Sequence, residues 1–229
     1  MALPKKNKTK LDIRPPKIGS EYLKYGMDRI EELMNAISDI RSQFGYDKPI
    51  LVEEFITGSD LSLGIIGNFP ESYLVLPLLE EDYSELPAGL PKICGYEAKW
   101  LPDSPYWRIK SIKAKIPEET EKIIIGSSLK LFERLECRDY VRFDWRLDDL
   151  GNPRLLEVNP NPGWCWDGHL AKMAKLAGMS YVELLESILK AAEIRLGFRN
   201  LNGVKKTFRE NQLTGQEITL NQMSSGGMS

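Results

Sequence analysis

The apolar positions change period along the chain, and those changes divide it into elements. Between Val141 and Leu147 they alternate: Val141, Phe143, Trp145 and Leu147 fall on one face, Arg142, Asp144 and Arg146 on the other. A period of two predicts a half-buried strand. Asp149-Leu-Gly-Asn152 carries a turn signal, and residues 155–159 predict a second short strand, so the two form a hairpin. With the turn centred between Leu150 and Gly151, antiparallel pairing sets Asp144 opposite Glu157 and Arg142 opposite Asn159. Directly opposed side chains then lie roughly 4.5–5.5 Å apart at Cβ. Pro160-Asn-Pro-Gly163 gives the second strand a rigid, non-helical exit.

Elsewhere the period is helical. Ile30, Leu33, Met34, Ile37 and Ile40 predict a helix capped by Asp28 and running to about Phe44. Pro117, followed by Glu118, Glu119 and Glu121, opens a helix to about Leu135, its acids suited to the positive end of the helix dipole. A helix over 170–176 is closed by Gly178, and Ser180 caps another from Tyr181 to about Leu196. Residues 11–13 predict a short strand, 18–26 a loop, and 50–56 with 61–67 a hairpin turning at 57–60. Residues 73–79 predict one further strand, followed by a Pro/Gly-rich excursion over 80–91, a short alternating stretch at 96–100 and a surface loop at 101–106. From Asn202 the chain turns polar and predicts a mobile tail. Strand, helix, hairpin, strand, helix, hairpin and two helices make an α+β order without internal repeats.

At 229 residues and 42% hydrophobic, the chain can bury a core as one or two domains. A formal net charge of −2 offers no electrostatic case for nucleic acid or an anionic membrane. No apolar run approaches the roughly 20 residues that span a bilayer, and the basic first ten residues lack the apolar core of a secretory signal. Cys94, Cys137 and Cys165 are odd in number and lack metal-ligand spacing, which predicts reduced thiols in a cytoplasmic protein. His169 is the only histidine; without a Cys or His cluster it predicts a helix start rather than a zinc ligand.

The hairpin acids admit two readings. One is a surface hairpin whose Asp144 and Glu157 pair with Arg142 and Arg146. In the other, two close carboxylates that would repel are held by a cation. With the Asn159 amide oxygen they make the hard, oxygen-only set that suits magnesium.

With Arg142-Phe-Asp144, Glu157-Val-Asn-Pro-Asn-Pro-Gly163, Tyr96-Glu-Ala-Lys99 and Glu53-Glu-Phe-Ile-Thr-Gly-Ser-Asp60, the chain resembles the ATP-grasp ligases. The nearest group is the D-alanine–D-alanine ligase-like branch, and the likeness covers about residues 11–197 in unbroken order. It implies an α+β ATP-grasp fold of mixed, largely antiparallel sheets with flanking helices, incomplete at its N-terminal side. Three parts follow: 1–56 as part of the central, phosphate-loop lobe, 57–200 as the C-terminal ATP-grasp lobe, and 201–229 as the polar tail. The implied activity joins an amino-acid-like carboxylate to an amine through an acyl phosphate, with ATP and two magnesium ions, manganese being an alternative ion.

The resemblance also implies roles. Asp144, Glu157 and Asn159 match magnesium ligands, with Glu157 bridging the ions, and Arg142 matches the arginine that stabilises charge on the acyl-phosphate intermediate. Lys99 matches the lysine that reaches the phosphates. Glu53, favoured over Glu54, matches the residue binding the adenine amino group, and Phe55 and Ile56 match the segment whose backbone edges the adenine. Asp60 matches a position, usually Glu, that holds the ribose hydroxyls. Gly163 matches the glycine of the turn beside which the nucleophile's site is built; Trp164 and Gly168 lie at the same substrate end. Such roles suit phosphoryl transfer, which rests on positioning and neutralising phosphate charge.

Departures from the family shape the expectation. Residues 11–21 line up with its phosphate-covering loop. There Arg14 replaces a lysine, which changes geometry but not charge, and Glu21 replaces the second serine, while Gly19 and Ser20 remain. Trp164-Cys-Trp-Asp-Gly168 stands where D-alanine–D-alanine ligases carry a serine near Gly168, and Trp100 stands for a tyrosine. A differently shaped, more aromatic acceptor pocket is expected, and D-Ala-D-Ala synthesis is not. Only thirteen residues precede Arg14. Three alternatives are therefore expected: a piece of a longer protein, a homodimer or partner chain that supplies the N-terminal region, or a non-catalytic remnant that binds nucleotide or another subunit.

Overall fold

The computed structural model describes residues 10–14, 30–70, 72–95, 97–98, 101 and 103–198. The helices form where capping and periodicity place them: α1 (Ile30–Phe44), α2 (Glu118–Arg134), α3 (His169–Leu176) and α4 (Tyr181–Arg195). Asp28, the expected cap of α1, lies outside the described residues. Pro117 precedes α2 directly, as suits a residue with a preset φ and no N–H to lose. Gly178 ends α3 at φ +79°, which favours a residue without Cβ. Ser180 makes a full capping box for α4, accepting from Glu183 N while its own N–H donates to Glu183 Oε2 at 2.7 Å.

Among the described residues eight strands form two sheets. β1 (Lys10–Arg14) and β2 (Leu51–Phe55) pair antiparallel by themselves. The larger sheet runs β6–β5–β3–β7–β8, with β4 also on β3; its strands are β3 (Asp60–Asn68), β4 (Ser72–Val75), β5 (Leu79–Asp82), β6 (Lys110–Lys113), β7 (Asp139–Leu147) and β8 (Pro153–Asn159). The expected hairpin between 50–56 and 61–67 is not formed, because the intervening turn is bonded to β7 instead. Gly58 N donates to Leu147 O and Leu147 N to Ser59 O, both at 3.0 Å, which steers β3 alongside β7. A Cβ on Gly58 would lie 2.2 Å from Leu147 O, so this crossing depends on glycine. The single strand expected over 73–79 is two, β4 and β5, separated around Pro77, which has no N–H for a ladder. β6 carries no apolar alternation and is invisible to a periodicity reading.

The central strands divide residues between two faces. Leu61, Leu63 and Ile65 of β3 join Val141, Phe143 and Trp145 of β7 beneath Ile124 and Phe132 of α2. Trp145 Nε1 satisfies its donor on Ser128 Oγ at 3.1 Å within that core. The opposite face pairs Asp60 with Arg146, Ser62 with Asp144, Gly64 with Arg142 and Ile66 with Tyr140. Helices α3 and α4 cover its apolar end, where Leu170, Met173, Leu184 and Ile188 meet Ile66, Leu76 and Leu79. A Cβ on Gly64 would come within 2.9 Å of Leu170, so glycine allows this close approach. The rest of that face is left to charged and polar residues. No helix among the described residues is long and apolar enough to cross a membrane.

Candidate functional site

β7 and β8 set the expected pairs: Asp144 lies opposite Glu157 and Arg142 opposite Asn159. The route to that register differs from the expectation. Leu147 pairs with Pro153, Gly151 N donates to Asp148 O at 2.9 Å, and Gly151 adopts φ +81°, so the loop is centred on Leu150 itself. A regular strand from that loop would place Leu156 opposite Asp144 and turn Glu157 to the other face. A β-bulge intervenes: Trp145 pairs with Leu155, Asp144 with Glu157, and Leu156 is extra. One inserted residue reverses the alternation of everything beyond it. Glu157 and Asn159 therefore join Asp144 and Arg142 on the polar face.

Within that set Asp144 is the hub. Its Oδ1 accepts from Arg142 Nε at 2.8 Å and its Oδ2 from Arg142 Nη2 at 2.7 Å, a bidentate pair with both side chains about four-fifths buried. Ser62 Oγ donates to the same Oδ1 at 2.8 Å. Burial works against the Arg142 charge, but hydrogen bonding to Asp144 and the charges of Asp144 and Glu157 outweigh it and hold the guanidinium above its usual pKa. Asn159 Oδ1 accepts from Asn161 N at 3.0 Å, an Asx turn that fixes the amide while leaving its oxygen a second lone pair. Glu157 is exposed.

Arg146 does not pair with either hairpin acid. It is 3% exposed and reaches across β3, with Nη1 3.5 Å from Asp60 Oδ2, Nη2 donating to Lys92 O and its guanidinium 4.9 Å above the Phe55 ring. Tyr83 donates to Asp60 Oδ2 at 2.8 Å. Burial pushes the Asp60 carboxyl up; Arg146 and Tyr83 counter it, while Glu81 and Asp144 add like charge. Asp60 is thus a held, half-buried acceptor at one end of the face, with Phe55 buried beside it and Ile56 half-buried. Glu53 and Glu54 are both exposed, so exposure does not separate them.

At the other end Gly163 is exposed and Trp164 stands edge-on to Tyr140, ring centroids 5.5 Å apart, its carbonyl taking the Tyr181 hydroxyl. Gly168 is the N-cap residue directly before α3; a side chain there would meet Cys165 O at 3.2 Å. Arg14 sits in β1 opposite Leu51 by backbone register alone. Ser20, Glu21, Lys99 and Trp100 lie outside the described residues.

The residues fit a hard divalent ion by donor chemistry: two carboxylates and an amide oxygen on one face, at directly paired positions, with no nitrogen or sulfur ligand among them. Among the described residues no three His, Cys, Asp or Glu side chains gather as a metal site, so the set relies on the Asn159 amide. Beside it runs a polar chain that periodicity did not disclose. Ser62 Oγ lies 3.3 Å from His169 Nδ1, and His169 Nε2 lies 3.1 Å from Glu81 Oε1. Ser111 Oγ donates to Glu81 Oε1 at 2.9 Å and accepts from Lys172 Nζ at 3.1 Å. One signal was available: Leu79, Glu81 and Tyr83 share a strand face, and an acid between two buried apolar residues requires partners.

Comparison with known proteins adds the wider context. The family model described as D-ala D-ala ligase C-terminus matches residues 11–190. Protein y4sG of Sinorhizobium fredii is 33% identical over 174 residues, 75% of this chain and 49% of that protein. The D-alanine–D-alanine ligase of Pelotomaculum thermopropionicum is 29% identical over 189 residues, 82% of this chain and 55% of that enzyme. The crystal structure of the Bacillus anthracis D-alanine–D-alanine ligase complexed with ATP shares the fold at TM-score 0.57 and 20% identity, over 83% of this chain and 53% of that one. The VanG D-Ala:D-Ser ligase of Enterococcus faecalis does so at TM-score 0.53 and 20% identity, over 81% and 50%. The chain spans about half the length of the curated relatives it matches.

Proposed function

Because the chain belongs to the D-ala D-ala ligase C-terminus family, we propose that it forms the nucleotide- and metal-binding part of an ATP-dependent carboxylate–amine ligase. The reaction joins a small, amino-acid-like carboxylate to an amine through an acyl phosphate. The observation that carries this reading is the pairing of Asp144 with Glu157 and of Arg142 with Asn159 on one polar face. In this reading residues 57–200 hold the reacting end and residues 1–56 contribute the phosphate-loop lobe.

Asp144, Arg142 and Asp60 stand in surroundings that suit the work this reading gives them. Asp144, Glu157 and Asn159 would hold magnesium, which supplies charge neutralisation at the phosphate oxygens when bound. Arg142 is held by its fork on Asp144, two residues away on the same face, and in this reading its positive charge serves the phosphoryl oxygens beside the ion. Asp60, already oriented by Tyr83 and Arg146, is a ready acceptor for vicinal hydroxyls such as those of a ribose. Phe55 and Ile56 edge the base, and Glu53 accepts from its amino group. Arg14, Ser20 and Lys99 serve the phosphates, and Gly163, Trp164 and Gly168 shape the acceptor end.

The experiment is to incubate the chain with magnesium–ATP and a panel of amino acids and to measure amine-dependent ADP release. Release is expected, and Glu157→Ala is expected to abolish it. Release that survives Glu157→Ala removes the metal assignment. Magnesium-dependent ATP binding without release, under every amine tested, assigns a nucleotide-binding role in place of the ligase.

A further inference from the structure

Ser62 owns a single hydroxyl hydrogen and faces two partners. Its Oγ lies 2.8 Å from Asp144 Oδ1 and 3.3 Å from His169 Nδ1. An ionised carboxylate only accepts, so the contact with Asp144 consumes that hydrogen. The contact with Nδ1 is then a hydrogen bond only if Nδ1 brings a hydrogen of its own. His169 Nε2 lies 3.1 Å from Glu81 Oε1, a second carboxylate, so Nε2 must donate as well. A ring with hydrogens on both nitrogens is the imidazolium. With a neutral ring, Nε2–H stays on Glu81, Nδ1 becomes a bare acceptor, and the Ser62 hydrogen must choose between Nδ1 and Asp144. When it turns to Nδ1, Asp144 Oδ1 regains a free lone pair.

We propose that His169 is a positioning residue for the cation site, acting through Ser62, so that a proton on His169 and a cation on Asp144 oppose one another. The inference rests on Asp144 being a cation ligand, as proposed above. Two effects share its sign: the protonated ring keeps the Ser62 hydrogen on Asp144, and it adds positive charge beside the site.

Glu81 suits this arrangement. It is 8% exposed, and although burial pushes its carboxyl up, His169, Ser111 and Lys172 outweigh that and keep it below the usual carboxylate range, hence ionised. The groups facing His169 are Glu81 from β5, Ser62 of β3 with Asp144 of β7 behind it, and Lys172 on its own helix through Ser111 of β6. Asp167 precedes it in the chain, and Asp60 acts on Glu81 and Asp144 by charge. Linkage requires reciprocity: if the proton weakens cation binding, the cation must weaken proton binding equally.

The test uses the full chain with magnesium chloride alone. As the only histidine, its ring resonances need no assignment, and magnesium affinity is read from the hairpin amide shifts between pH 6 and 7.5. Magnesium is expected to bind about fivefold tighter at the upper pH, and saturating magnesium to move the ring titration to lower pH. In Ser62→Ala the pH dependence of affinity is expected to fall below about twofold, and in His169→Gln to vanish. Asp60→Asn is expected to keep it, which excludes Asp60 as the titrating group. If Ser62→Ala fails to fold, Glu81→Gln removes the carboxylate that favours the imidazolium and should flatten the dependence in the same way. Affinity independent of pH, with magnesium still bound and lost in Glu157→Ala, would overturn this inference alone; so would full dependence in Ser62→Ala. No magnesium binding at any pH would overturn the metal reading together with it.

Discussion

Arg142 shows what one side chain contributes that its charge alone does not. Its Nε and Nη2 address both oxygens of Asp144, a fork that an ammonium cannot reproduce. Arg142→Lys is therefore expected to lower kcat for ADP release by about 100-fold while the KM for ATP moves by less than about threefold; steady-state kinetics separate the two. Arg146 is the complementary case, a buried cation that serves Asp60. Replacing it with Met leaves a half-buried carboxylate with Tyr83 alone, at a cost of about 3 kcal/mol in urea unfolding near neutral pH. Burial already raises the Asp60 pKa, so the folded state holds that proton more tightly than the unfolded chain. The deficit of Arg146→Met should accordingly shrink as pH falls through the raised Asp60 titration. Asp144, Glu157 and Asn159 could be proposed from local alternation. Ser62 could not, since it meets Asp144 from a strand 82 residues away.

At the scale of elements, periodicity finds a strand more readily than its neighbour. The β7–β8 hairpin is adjacent in sequence and joined by a short turn, so its pairing follows from local signals. β2 and β3 are also adjacent, yet the Gly58 and Ser59 backbone bonds to Leu147 send β3 to β7, a partner far along the chain. The bulge at Leu156 was hidden for a different reason: an extra residue leaves the composition of a strand unchanged while reversing the faces beyond it. Its position makes a sharp prediction. Deleting Leu156, which is 49% exposed, removes the extra residue but still leaves Glu157 opposite Asp144. That deletion is expected to keep magnesium affinity within about threefold of the parent, since register rather than the bulge carries the site. Calorimetry on the folded variant decides, and a loss beyond tenfold would mean the bulge geometry itself aims Glu157.

The whole molecule depends on α3 and α4 being held against the polar face, because α3 delivers His169 and Gly168 to it. Periodicity and capping disclose the two helices but not the face they cover. What closes the arrangement came only with tertiary structure, in contacts between α4 and strands far away in sequence. Arg195, in the last turn of α4, makes a bidentate pair with Asp139 at 2.6–3.1 Å. Asn68 Nδ2 donates to both Asp139 Oδ1 and Ala191 O, joining β3, β7 and α4 at one point. Burial pushes the Asp139 carboxyl up, but Arg195 and Asn68 outweigh it and hold it below its ordinary value of 3.8. A depressed folded-state pKa contributes stability that is complete above the unfolded value and lost as pH falls through the folded one. The clasp should thus be at full strength above about pH 5 and weaken progressively as pH falls below about 4 and through the depressed folded-state titration. Arg195→Ala is expected to cost about 1–2 kcal/mol at neutral pH and progressively less as pH falls below about 4 and through the depressed Asp139 titration, where the parent loses the same contribution. Urea unfolding at pH 7 and pH 3.5 measures both arms. If the variant and parent differ equally at the two pH values, Arg195 stabilises α4 by packing rather than by its charge on Asp139.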